Sequence, residues 1–358
     1  MIPIALVSDA RYEGGAERYL LRLAGALDRR RFRPTLVMPD REGLDDLIER
    51  GRRAGLDVVR WRRRPEPLAA IELARAVDRL APRIVHLNMP SPYEMGCGGW
   101  ALGLSRPERS VVATEHIADI APSRRRVLQK RLWSGLIERT ITISAAHAAL
   151  LASRHGVPKE KIRVVMNGVE DPGPSPERPD RPLRVAVIGS LEPRKGQDRL
   201  LEAAAMALGR GADIEVVLVG AGPSRSALEA AAARAPLSGR VRFTGQLASA
   251  AREIASSHIV AVPSRIEGVP FVVAEAMAAG TVPLVSRLPG LDEVVDDGVG
   301  RLLPADDASV WADALVELAA NPAERARLAA AARARFEQRF TLARMAAGTA
   351  AVYAEVLR

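Results

Sequence analysis

Short apolar runs alternate along this chain with longer stretches whose apolar positions recur every three or four residues. Continuous apolar runs of roughly four to eight residues mark strands buried on both faces of a parallel sheet, and the amphipathic stretches between them mark its covering helices. In the first half the pattern predicts strands near 3–8, 34–38, 56–60, 83–88, 110–114, 140–143 and 162–165, with helices at about 15–29, 43–54, 68–81, 92–104, 122–138 and 144–155. Pro172, Pro174, Pro176, Pro179 and Pro182 follow. Proline lacks an amide donor and fixes φ, so this density stops strand and helix alike and reads as an interdomain linker. The alternation then restarts, with strands near 184–189, 214–219, 240–243, 258–262, 282–285 and 301–303 and helices at about 196–209, 224–234, 248–255, 271–279 and 307–319. Residues 322–337 and 341–357 are alanine-rich and helical, and no strand follows them. The expected architecture is α/β, with two Rossmann-like domains at 1–170 and 183–340 joined by 171–182. Sheets of this kind bind ligands outside the carboxyl ends of their strands, so two facing halves would form a crevice.

Composition narrows the classes. The chain has 358 residues, 48% of them apolar, which suffices for two cores. Its formal charge of +9 invites a nucleic-acid reading, but only Lys130, Lys159, Lys161 and Lys195 are lysines, the arginines are dispersed, and there are only four Trp, four Tyr and five Phe. A binding stripe would be local and interleaved with aromatics, so nucleic acid is not an expected partner, while acidic small ligands and anionic lipid surfaces remain open. Cys97 is the single cysteine, which excludes an intramolecular disulfide framework and a Cys-rich metal site and suits a reducing, cytoplasmic setting. The opening Met1-Ile2-Pro3-Ile4-Ala5-Leu6-Val7 lacks a basic region and meets Ser8 and Asp9 at once, unlike a signal peptide. No apolar run reaches the roughly 18 residues of a spanning helix, so a soluble or peripheral protein is expected.

Four segments carry candidate chemistry. The first strand runs into Gly14-Gly15-Ala16-Glu17, where glycines admit a ligand to the backbone and the N–H groups of a starting helix favour an anion. Val219-Gly220-Ala221-Gly222-Pro223-Ser224-Arg225 resembles a dinucleotide fingerprint, but Arg225 occupies the third glycine position and no lone acidic residue closes a strand about twenty residues on. The segment from Pro263 to Gly280 places Glu267 on a loop and Glu275 inside the helix that follows. Amides of Gly268, Val269 and Phe271, with Pro270 between them, would stand at the helix entrance, positively polarised toward a diphosphate. Glu275 suits the vicinal diol of a ribose, and Glu267 the hydroxyls of a sugar beyond the phosphates. Ile188-Gly189-Ser190-Leu191-Glu192-Pro193-Arg194-Lys195-Gly196 sets two cations at the same crevice. Where arginine is otherwise the rule, Lys195 suggests that a compact charge on a flexible stem is wanted, as for phosphate.

Together these residues resemble glycosyltransferase family 4. The likeness runs in order through Gly14-Gly15-Ala16-Glu17, Val165-Met166-Asn167-Gly168-Val169, Pro193-Arg194-Lys195-Gly196 and the Glu267/Glu275 segment. It implies a GT-B fold with the active site between the domains and the last helix, about 341–358, packed back on the N-terminal one. It further implies retaining, metal-independent transfer from a nucleotide-diphosphate sugar, UDP-linked first and GDP-linked next, with no cofactor beyond that co-substrate. No Asp-x-Asp occurs in the chain, in keeping with a leaving group neutralised by cations and helix ends. By this likeness Arg194 and Lys195 hold the diphosphate, Glu275 the ribose and Glu267 the donor sugar, and His116 stands beside that sugar. Gly14 and Gly15 line the phosphate and acceptor side, and Ser190 and Asn167 count with the substrate-binding residues. One departure is visible: the family carries arginine where Ser190 stands, and Arg194 is expected to supply the missing charge.

His86, in Val85-His86-Leu87-Asn88, fits a core position and an acceptor contact equally. Residues 122–139 set Arg124, Arg125, Arg126, Lys130 and Arg131 beside Leu128, Leu132, Leu136 and Trp133, a pattern that fits an interfacial helix docking at the inner membrane face and core packing of the leucines equally. The expected acceptor is a glycan, a lipid-linked alcohol or a small-molecule alcohol. Two other readings stay open: an epimerase or hydrolase of nucleotide sugars on the same architecture, and a non-catalytic subunit that keeps the fold.

Overall fold

The computed structural model describes residues 1–10, 12–62, 68–91, 93, 108–117, 123–173, 175 and 178–357. Most of the helix expected at 92–104, and Cys97 with it, lies outside them. The chain divides into two units, Met1–Gly168 with Leu342–Arg358, and Val169–Thr341.

In unit 1 the apolar runs form β1 (Ile2–Val7), β2 (Phe32–Pro39), β3 (Asp57–Trp61), β4 (Ile84–Met89), β5 (Ser110–Glu115), β6 (Arg139–Thr142) and β7 (Ile162–Val164). They pair in parallel in the order β3-β2-β1-β4-β5-β6-β7. The covering helices are α1 (Gly15–Ala26), α2 (Asp45–Arg53), α3 (Leu68–Asp78), α4 (Arg124–Ser134) and α5 (Ala145–His155). Val7, Val85, Leu87 and Ala113 from the sheet pack with Leu73, Val77 and Trp133, all buried. Numbering of the remaining helices follows the chain, and the last, α12 (Leu342–Val356), also belongs to this unit. Its Tyr353 is fully buried with its hydroxyl 2.5 Å from His86 Nδ1. Its Glu355 accepts from Arg163 and Arg139, which hold that carboxyl down to about 2.

Unit 2 contains β8 (Leu183–Ile188), β9 (Ile214–Val219), β10 (Val241–Gly245), β11 (Ile259–Val262), β12 (Val282–Ser286) and β13 (Arg301–Leu303), in the parallel order β10-β9-β8-β11-β12-β13. Its helices are α6 (Gln197–Gly209), α7 (Arg225–Ala232), α8 (Ala251–Ser256), α9 (Phe271–Ala278), α10 (Ala308–Ala320) and α11 (Pro322–Arg339). Leu200, Leu201 and Ala204 of α6 meet Trp311, Leu315 and Leu318 of α10 over the buried strands. The proline-rich segment is bound into this unit. Arg178 donates to the carbonyls of Ala255, Ala279 and Gly280, and Ser175 donates to the Ala279 carbonyl. Arg333 adds a bond to the Ala278 carbonyl. Three side chains thus satisfy the carbonyls at the negative end of α9, the helix that bears Glu275.

The expected interfacial helix is shorter and differently turned than 122–139. It ends at Ser134, its Lys130 and Trp133 are buried, and Leu136 falls beyond it. Lys130 turns inward because Glu115, at the end of an apolar strand, needs a cation: the two form an ion pair at 2.5 Å with neither side chain exposed. Leu128 and Leu132 remain outside, 61% and 60% exposed. Among the described residues no helix is long and apolar enough to cross a membrane.

Candidate functional site

In unit 2 the chain leaves β8 toward β9 and β10, then returns to place β11 on the other side of β8. Connections from β8 and β11 therefore depart in opposite directions, and a crevice opens between their carboxyl ends. The loop after β8 carries Ser190, Arg194 and Lys195; the loop after β11 carries Glu267. Gly196 lets the loops meet. Its φ is +68°, and a Cβ there would drive into the Pro263 carbonyl. The Arg265 N–H then donates to the Arg194 carbonyl at 2.7 Å, and its guanidinium reaches the Pro193 carbonyl at 2.5 Å.

The outcome is that Lys195 Nζ donates to Glu267 Oε1, although 72 residues separate them. Ser264 Oγ donates to the same oxygen at 3.1 Å. The Glu267 side chain is 7% exposed and that of Lys195 18%, so both charges lie in a partly dry setting where pairing is strong. Gln197, itself buried, donates to the Ser190 carbonyl at 2.8 Å and fixes the turn. Gly220 and Gly222, the glycines of the fingerprint-like segment, face the carbonyls of Gly189 and Leu191 so closely that a Cβ on either would clash. Their work is to let the loop after β9 cross the loop after β8.

Gly268, Val269, Pro270 and Phe271 lead into α9, with Pro270 at its N-cap and no side-chain cap there. Glu275 is half-buried among Val272, Val273, Ala276 and Met277, which are buried. The Arg194 guanidinium pairs with Glu192 at 2.7 Å, and its side chain is 41% exposed.

Unit 1 presents a second cluster at its own switch point, between β1 and β4. Gly14 and Gly15 open α1, but the Gly14 N–H is not left for an anion. It donates to Glu17 Oε2 at 3.0 Å, and Ser8 Oγ donates to Glu17 Oε1 at 3.2 Å, a capping box that buries Glu17. His116 follows β5, nearly buried, with its ring against Tyr19 at 4.9 Å between centroids. Its Nε2 lies 2.9 Å from Asn88 Oδ1, and Asn88 Nδ2 donates to the Ala16 carbonyl at 3.0 Å. Asn167 is buried on the segment leaving β7. His86 is a core residue, since both nitrogens are bonded inside the unit, to Tyr353 and to Thr114. The sequence motifs assign no role to Asn88, Ser264 or Gln197. A buried strand-end asparagine must find partners, and that requirement was the available signal for Asn88.

Burial holds both imidazoles neutral. It pushes His86 down to about 3, with His116 nearby adding to the shift, and His116 down to about 3, with His147 adding. Unfolded, each would take a proton near pH 6.5; folded, each refuses it until about pH 3. Below pH 6.5 the unfolded chain binds more protons, so stability falls with falling pH by at most about 1.4 kcal/mol per pH unit for each histidine. Carboxylates held low, such as Glu324 and Glu355, contribute stability that is lost only below about 4.5. The window from 6.5 to 4.5 therefore belongs to buried histidines, including His258 in unit 2, which burial also lowers. Urea midpoints should drop between pH 7 and 5, and less so in His86→Gln; equal midpoints across that range contradict the assignment.

Two family matches bear on this geometry. Residues 13–171 match Glycosyltransferase Family 4, and residues 173–335 match Glycosyl transferases group 1. A phosphatidyl-myo-inositol mannosyltransferase of Mycobacterium leprae is 31% identical over 259 residues, 69% of this chain and 67% of that protein. The chain belongs to glycosyltransferase family 4. A D-inositol 3-phosphate glycosyltransferase of Saccharomonospora viridis is 30% identical over 287 residues, 72% of this chain. The match spans 66% of that relative's length. Among solved structures, Anabaena Alr3699/HepE in complex with UDP and glucose superposes with a TM-score of 0.84 at 21% identity, covering 99% of this chain and 100% of that one. The fold of this family 4 member is GT-B, two Rossmann-like domains with parallel sheets.

Proposed function

We propose that this family 4 protein is a retaining, metal-independent glycosyltransferase that moves a sugar from a nucleoside diphosphate to an acceptor hydroxyl. UDP is the favoured nucleotide and GDP the next. The observation that carries the reading is the meeting of Lys195 and Glu267 at the switch point of unit 2. In this reading the diphosphate lies against Lys195 and the entrance to α9, Gly268 to Phe271, where a cation and the positive end of a helix act together. Glu275 takes the ribose diol and Glu267 the donor sugar, with His116 beside that sugar; Gly14 and Gly15 line the phosphate and acceptor side, and Ser190 and Asn167 count with the substrate-binding residues. The sugar–phosphate bond breaks as the acceptor oxygen bonds the anomeric carbon from the same face, and the acceptor hydroxyl's proton passes to the departing phosphate oxygen. Stabilising charge on the departing phosphate is then the main task. UDP takes first place because the Anabaena neighbour holds UDP and glucose.

Glu275→Ala should weaken donor binding with turnover largely kept, whereas Glu267→Ala should lower turnover by about a hundredfold, as for loss of one preorganised group. Steady-state kinetics with varied donor separates the two; equal effects on KM and kcat in both variants contradict the roles. A thermal-shift panel of UDP, GDP, ADP and their sugars in EDTA, followed by mass spectrometry with candidate acceptors, tests the reaction. The expected result is a shift with UDP and a glycosylated acceptor. No shift with any nucleotide, or donor converted with no acceptor glycosylated, overturns it.

The exposed face of α4 supports peripheral contact with the inner membrane face, where a lipid-linked acceptor would lie. Leu128 and Leu132 stand side by side one turn apart, flanked by exposed Arg124, Arg125 and Arg131. Sedimentation with anionic vesicles should be salt-sensitive and lost in Leu128→Asp/Leu132→Asp. Equal recovery with neutral and anionic vesicles contradicts the contact.

A further inference from the structure

Asn88, next to last in β4, has two partners of unequal chemistry. The Ala16 carbonyl can only accept, so the Asn88 amide nitrogen must face it, as it does at 3.0 Å. That choice turns Oδ1 toward His116 Nε2, 2.9 Å away. Oδ1 can only accept, so Nε2 must carry the imidazole proton, and a neutral ring has just one. Nδ1 is then left with a lone pair, and it has no hydrogen-bond partner among the described residues. Tyr19, edge-on to the ring, holds its plane. Ala16 is itself fixed, for it lies in the first turn of α1, which the Glu17 capping box anchors.

We propose that Asn88 is a positioning residue that locks His116 as the Nε2–H tautomer, so that Nδ1 accepts a hydrogen bond from a substrate hydroxyl. The proposal rests on the glycosyl-transfer reading for the identity of that hydroxyl, on sugar or acceptor, but not for the tautomer. An imidazole in this state cannot donate to a phosphate oxygen from Nδ1; it selects an O–H donor. Without the amide the ring would be free to move its proton to Nδ1 and present a donor where an acceptor is needed.

The chain has five histidines, so nitrogen-15 NMR of histidine-labelled protein at neutral pH can assign each ring, with His116→Gln identifying the signal of interest. In the wild type Nε2 of His116 should show the protonated shift and Nδ1 the unprotonated one. Asn88→Ala should lose that preference. With UDP-glucose or GDP-mannose, whichever the wild type turns over, Asn88→Ala should lower kcat about tenfold with donor KM within about twofold, the size of one hydrogen bond lost at the reacting stage. An Nδ1–H tautomer in the wild type, an unchanged tautomer in Asn88→Ala, or a changed tautomer with unchanged kcat overturns the proposal. The wild-type spectrum decides even where the alanine variant fails to fold. A wild type that binds no nucleotide would defeat the glycosyl-transfer reading while leaving the tautomer measurable.

Discussion

Lys195→Ala is expected to lower kcat 10²–10³-fold, about 3–4 kcal/mol, the usual worth of one preorganised group on a developing charge. The structure makes the reason specific. Lys195 is held by Glu267, which is held in turn by Ser264, so the ammonium is already in place before a phosphate arrives. Removing it loses the cation and also leaves the Glu267 carboxylate, 7% exposed, without its counter-charge. Arg194→Ala should cost less, about tenfold, because Glu192 already takes part of its charge in a solvent-exposed pair and such pairs are weak. Single-turnover rates at saturating donor read both effects. Near-normal rates in Lys195→Ala, or a larger loss in Arg194→Ala, contradict this assignment of the leaving-group cation.

Lys130→Met should destabilise unit 1 by about 3–5 kcal/mol, the penalty for leaving one member of a buried ion pair alone. Methionine keeps most of the stem and its packing on Trp133, whose ring lies 4.9 Å from the ammonium, so the change isolates the charge. The stranded group is Glu115, fully buried and one residue before His116. Converting both, in Glu115→Leu/Lys130→Met, removes the uncompensated charge and should recover most of the loss. Urea unfolding of the single and double variants checks this. A single variant as stable as wild type would show that the pair contributes nothing.

The sheets were legible because parallel strands are nearly continuous apolar runs with sharp ends. Ile214–Val219 is six residues, one of them polar, and ends at a glycine; its bounds could be read directly. The order of strands could not, and it is order that joins residues 195 and 267. Helical period was less informative, since it fixes which residues share a face but not which face turns inward. That is why Lys130 read as part of a cationic surface. Its rarity was a usable signal: half-buried Lys161 likewise has a structural task, donating to the carbonyls of Ser134, Gly135 and Ile137 at the end of α4. The Gly14 amide shows another limit. Glycine at a helix start reads as an anion site, yet glutamate three residues on is the sign of a capping box that occupies the same N–H.

The central claim is that the crevice between β8 and β11 grips the diphosphate of a sugar donor through Lys195. Calorimetric titration of UDP into the wild type and into Lys195→Ala, in EDTA, measures that grip alone, free of acceptor and turnover. The account predicts saturable binding to the wild type, weakened at least about tenfold in the variant, as for loss of one charge-assisted bond. Equal affinity in the two proteins, or no binding of any nucleoside diphosphate to the wild type, would contradict it.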